Sequence, residues 1–85
     1  MSHKPLNELA SEMAALKELI EIGGTYTHYK DATKTYIVRN LVVIEADDTI
    51  GVVYQGNYGP RLMFVRPATA WLEEVDGAPR FQKVV

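Results

Sequence analysis

Eighty-five residues with 47% hydrophobic and 24% charged side chains make one small globular domain and exclude a disordered, collagen-like or low-complexity chain. Cysteine is absent, which removes disulfides, thiolate metal sites and a cysteine nucleophile, and His3 and His28 are too few for a zinc finger. The formal charge of −2 resides in residues 1–22, where Lys4 and Lys17 face Glu8, Glu12, Glu18 and Glu21, while the rest of the chain is neutral. Counterion release by clustered cations drives non-specific nucleic-acid binding; here only a local face of Arg61, Arg66 and Arg80 could supply it. No apolar leader follows Met1 and no apolar run could span a bilayer, so a cytoplasmic protein with no membrane contact is expected.

Residues 5–22 place Leu6, Leu9, Met13, Leu16 and Ile20 at alternating spacings of three and four, the stripe of an amphipathic helix. Pro5 suits the helix start and Gly23-Gly24 its end, so the helix is expected to stop at about residue 22. The stripe can complete the chain's own core or pair with a second copy in a homodimer.

After Gly24 the period changes to two, and six short runs follow: residues 25–30, 36–45, 49–55, 62–66, 70–75 and 80–85. Asp47-Asp48, the stretch from Gln55 to Pro60 and Asp76-Gly77-Ala78-Pro79 supply turn residues between them. Alternation puts Ile50, Val52 and Tyr54 on one face of the third run, the mark of a sheet with one buried face. The expected architecture is mainly β: a small antiparallel barrel of five to six strands over residues 24–85 with one N-terminal helix, a single domain over residues 1–85.

Gly24-x-Tyr26-x-His28-Tyr29-Lys30, Tyr36-x-Val38, Val52-Val53-Tyr54, Phe64-Val65-Arg66-Pro67, Trp71-x-Glu73 and Pro79-Arg80-Phe81 occur in that order. The set resembles the bacterial family called domain of unknown function 1653, whose members read approximately Gly-x-Tyr-Arg-His-Tyr-Lys-Gly, Val-Val-Tyr, Trp-Val-Arg-Pro and Arg-Phe. This chain departs in three places: Asp31 follows the lysine, two extra residues separate Lys30 from Tyr36, and Met63-Phe64 replaces the tryptophan. The resemblance implies an SH3-like barrel, and implies no activity, substrate or cofactor.

Tyr26 and His28 alternate onto one side of the first strand, where the imidazole is expected to be structural, with ligand contact the alternative. One histidine without a placed partner is not an active site, and no nucleophile, zinc or phosphate-loop motif is present, so neither catalysis nor a cofactor is expected. Arg66 precedes a short turn to Glu73 and Glu74 and is expected to bridge to them. Were Arg66, Lys30 and His28 to converge, they could grip a phosphate or carboxylate. The expected function is recognition of a protein or peptide along a groove lined by Tyr26, Tyr54, Tyr58, Phe64 and Trp71 with Arg66 at its edge. The alternative is a nucleic-acid or nucleotide contact through Lys30, Arg61, Arg66 and stacked tyrosines.

Overall fold

The computed structural model describes residues 4–84; Met1–His3 and Val85, which the expected single domain includes, lie outside the described residues. The elements run α1 (Leu6–Lys17), β1 (Thr25–His28), β2 (Asp31–Ile44), β3 (Thr49–Gly56), β4 (Met63–Pro67), α2 (Ala68–Trp71), β5 (Glu74–Val75), β6 (Ala78–Pro79) and β7 (Phe81–Lys83). Five of the strands form one antiparallel sheet in the order β4-β3-β2-β1-β7, and β5 and β6 form a separate two-stranded hairpin. The chain is thus mainly β with an N-terminal helix.

The helix is shorter than its stripe predicts. It ends at Lys17, and Glu18 and Leu19 close a tighter turn by donating to the carbonyls of Ala15 and Leu16. Two contacts favour this early stop: Ile20 swings fully into the core, and the Glu21 N–H donates to the Tyr26 hydroxyl at 3.0 Å. Leu9 is buried, and Met13 and Leu16 pack partly buried against the same core. Pro5 sits at the cap, one residue before the helix, and its carbonyl accepts the Glu8 and Leu9 N–H groups.

The sheet's central strand, β2, is fourteen residues long and serves two partners. Its first half pairs with β1 and its second with β3, and Arg39 is the extra residue of a bulge between the Val38–Tyr54 and Asn40–Val53 pairs. Near β1 the register jumps from Thr27–Thr35 to His28–Asp31, so residues 32–34 loop out unmatched. That loop coincides with the two extra residues after Lys30.

The β2–β3 turn does more than reverse the chain. Asp48 adopts φ 56° and is nearly buried, and its Oδ2 accepts the Lys4 N–H at 2.8 Å, tying the helix entry to the hairpin. Asp47 Oδ1 accepts from the Thr49 N–H at 3.2 Å, an Asx turn. In the β5–β6 hairpin Asp76 and Gly77 both take positive φ, the backbone a two-residue turn requires.

The core lies on the α1 side of the sheet and combines aliphatic side chains with the rings of Tyr26, Tyr54, Trp71 and Phe81. Ile20, Val38 and Val52 are fully enclosed, each contributing about 1.5–3 kcal/mol relative to exposure. Trp71 was expected on a strand over residues 70–75. Instead Pro67 ends β4, and one helical turn, closed by the Leu72 N–H to the Ala68 carbonyl at 3.0 Å, sends Ala68 and Trp71 inward three residues apart. Trp71 stacks flat on Phe81 with centroids 3.8 Å apart and meets Tyr26 and Tyr54 edge-on.

Candidate functional site

The β1–β7 pairing decides which polar groups meet. His28 on β1 stands opposite Phe81 on β7, and the Tyr29 N–H donates to the Arg80 carbonyl at 2.9 Å. The His28 ring therefore packs edge-on to Phe81 at 5.0 Å and against Tyr29 at 4.7 Å. Trp71 takes one face of Phe81, and the Arg66 guanidinium, arriving from β4, lies over the ring 5.1 Å from its centroid. Tyr29 in turn carries Arg80 at 5.5 Å and the Lys30 ammonium at 5.9 Å.

His28, Lys30, Arg66 and Arg80 thus share two aromatic platforms. Burial pushes the His28 pKa below its ordinary 6.5, and the positive charges of Arg66, Arg80 and Lys30 push it lower still. Its Nδ1 accepts the Lys30 N–H at 3.2 Å, so the neutral ring carries its proton on Nε2 and offers a donor there. Among the described residues no carboxylate is hydrogen-bonded to this imidazole.

The arginines differ. Arg80 pairs with Glu73 at 3.0 Å, yet its Nε is buried with no hydrogen-bond partner. Arg66 makes no hydrogen bond or ion pair among the described residues; the bridge expected from Arg66 to Glu73 or Glu74 does not form, and Arg80, in the bend between β6 and β7, pairs with Glu73 instead. The Arg66 guanidinium, the His28 Nε2 donor and the Lys30 ammonium thus add donors and positive charge beyond what Glu73, paired with Arg80, offsets.

Of the residues singled out in the sequence, His28, Lys30 and Arg66 come together here. Tyr26, Tyr54 and Trp71 are all buried, because alternation on β1 and β3 and the turn of α2 direct their rings into the core, and Tyr26 and Trp71 reach the surface in a cleft they share with Leu19, Phe81 and Lys83. Phe64 lies tilted against Tyr54 at 5.5 Å, on the partly open edge strand. Tyr58 belongs to a different cluster: its ring covers Gly56, its hydroxyl lies 3.2 Å from that of Tyr36, and Lys34 sits 4.9 Å above it. Burial and the Tyr58 hydroxyl push the Tyr36 pKa up to about 12. Arg80, named in the sequence with Arg61 and Arg66 as a basic face, joins the site, and Tyr29 and Phe81 join it without having been singled out. Those two rings stood inside motifs of the family resemblance, the signal that pointed to them. Arg61 lies apart, its guanidinium 3.3 Å from Asn57 Oδ1.

Among the described residues no three His, Asp or Glu side chains are grouped to hold a metal ion, and no helix is long and apolar enough to cross a membrane. A family model described as a protein of unknown function, DUF1653, matches residues 24–83. No curated protein and no solved structure gives a significant match. The chain belongs to the DUF1653 family.

Proposed function

We propose that this member of the DUF1653 family is a non-catalytic recognition module that takes a carboxylate or phosphate of a protein partner between His28, Lys30, Arg66 and Arg80. The single observation that carries this is the surplus of charge: four basic side chains gather on the Tyr29 and Phe81 rings, and among the described residues only Arg80 has a carboxylate partner. A guanidinium held flat on an aromatic ring is partly stripped of water and aimed, so an arriving oxyanion gains charge-assisted hydrogen bonds with little ordering left to do. A protein partner is favoured over nucleic acid because Tyr26, Tyr54 and Trp71, the rings on which bases would stack, are interior.

The fold we infer for the module is an SH3-like barrel. Its support is the strand order, the bend of β2 at Arg39, the single helical turn between β4 and the last strands, and Arg66 of β4 reaching Phe81 of β7. Backbone amide NMR with added inorganic phosphate, acetate or an acidic peptide tests the site. Saturable shifts at residues 28–30, 66 and 80–81, weakened about tenfold or more in Arg66→Ala, are expected for loss of a charge-assisted contact. Shifts spread evenly over all the cations, or unchanged in that variant, would sink it.

A further inference from the structure

Strand β4 ends the sheet, and among the described residues no strand pairs with its far side. The Gly56 N–H donates to the Leu62 carbonyl at 3.1 Å, which sets the phase of the β3–β4 ladder: Phe64 and Arg66 direct their backbone groups at β3, and Met63 and Val65 direct theirs away from the sheet. Two residues of the edge therefore hold open main-chain donors and acceptors. Around them Leu62, Met63, Phe64 and Val65 are 58, 56, 38 and 57% exposed. Sheet edges are ordinarily blunted by an inward charge, a proline or a bulge. Here the inward Arg66 and Pro67 guard only the last two residues of β4, and the stretch 62–65, which follows Arg61 at φ 55°, carries no such guard.

The apolar surface continues inward from this edge. On the sheet's outer face Val65 pairs with Val53, and Val65 and Ile44 approach each other above Gly51, where a Cβ would stand 2.9 Å from both. Charge brackets the strip. Arg61 and Arg66 stand at its two ends, and residues 55–67 contain no carboxylate.

The geometry points to β4 as a rail for an extended segment of another protein, which adds as an antiparallel strand and carries apolar residues between two carboxylates. Main-chain bonds to Met63 and Val65 hold the strand, its outward side chains extend the Val53–Val65 strip, and its terminal acids meet Arg66 and Arg61. A second copy of this chain is the poorer occupant, since two β4 edges would bring together two sets of these arginines and no acid. The rail rests on the proposed function in one respect, Arg66, which faces the His28 cluster and the end of β4 alike.

The probe is a capped Glu-Val-Thr-Val-Thr-Glu peptide, followed by amide hydrogen exchange and chemical shifts in the full chain. The expected result is alternation: the Met63 and Val65 amides, open in the free protein, exchange about tenfold or more slowly, while Phe64 and Arg66, already bonded to β3, change little. A peptide N-methylated at its valines should give no protection, and a Gln-for-Glu peptide should bind several-fold more weakly. Val65→Pro, which removes an outward N–H that β3 does not use, should abolish the effect at Met63 while leaving the phosphate response near His28 intact. Shifts near His28 and Arg80 with unchanged exchange at Met63 and Val65 would overturn the rail and leave the anion site standing. Protection at Met63 and Val65 without any phosphate response near His28 would do the reverse. Equal binding of the Gln peptide would overturn the acidic partner, and protection that grows with protein concentration alone would make the occupant a second copy.

Discussion

The helical end of the molecule and the β1–β7 end treat charge in opposite ways. At the helical end charges find partners: Lys4 Nζ bonds Glu12 at 2.9 Å, the Lys4 N–H bonds Asp48, and Lys83 pairs with Glu21. At the other end His28, Lys30, Arg66 and Arg80 crowd two rings with Glu73 as their one carboxylate. Pairing serves the fold, because each contact ties the N-terminal segment or the last strand to the rest. Leaving cations together costs repulsion, and the proposed anion site at the β1–β7 end rests on that difference.

The largest effect that would break this comparison is loss of the shared platform. Phe81 carries Arg66 on one face and Trp71 on the other and is nearly buried, so Phe81→Ala should destabilise the chain by about 3–5 kcal/mol in urea unfolding and scatter the cations as well. A cost below about 1 kcal/mol, typical of a surface change, would mean that the aromatic stack does not underlie the site. At the helical end Asp48→Ala removes the acceptor of the Lys4 N–H and leaves a side chain at φ 56° without its local hydrogen bonding. An intermediate loss of about 1–3 kcal/mol is expected by the same measurement, with His28 unaffected.

Arg66→Ala sharpens the contrast. Removing an unpaired cation should leave stability within about 1 kcal/mol of the parent, while the His28 pKa rises because a positive neighbour has gone. Histidine resonances followed over pH read the shift, and a fall or no change would place Arg66 outside the cluster.

The smallest expected effects are those of pH on stability. His28 has a folded pKa below its unfolded value, so the unfolded chain binds more protons as acid is added, and stability should decline as pH falls through about 6.5 and below. His28→Gln should flatten that limb. Tyr36 has the opposite sense: its folded pKa of about 12 lies above the unfolded 10.0, so stability should be lost between those values, and Tyr36→Phe should remove the loss.

Much of the sheet was legible because burial imposes a period. Ile50, Val52 and Tyr54 alternate into the core as their spacing predicts, and Asp76-Gly77 makes the expected turn. The helix end was not, because Ile20 keeps the stripe's spacing while its backbone has already left the helix for the core. Nor was the turn that carries Trp71, since four residues are too few to show a helical period and alanine, threonine and tryptophan after a proline fit a strand equally well. The site was half legible. His28, Lys30 and Arg66 were singled out as a group that could converge, but Arg80 and Tyr29 join them only through the pairing of β1 with the far end of the chain. How deeply the aromatics are covered was illegible for a related reason: sequence names a ring without saying on which side of a curved sheet it lies, and Tyr26, Tyr54 and Trp71 are all buried.

The most direct test is the titration of the His28 imidazole by NMR, first in the free protein and then with saturating inorganic phosphate. If the cations converge on an open anion site, His28 titrates below its ordinary 6.5 when free, and its pKa climbs as bound phosphate offsets Arg66, Arg80 and Lys30. A His28 that titrates at or above 6.5 and ignores phosphate would contradict the account at its centre.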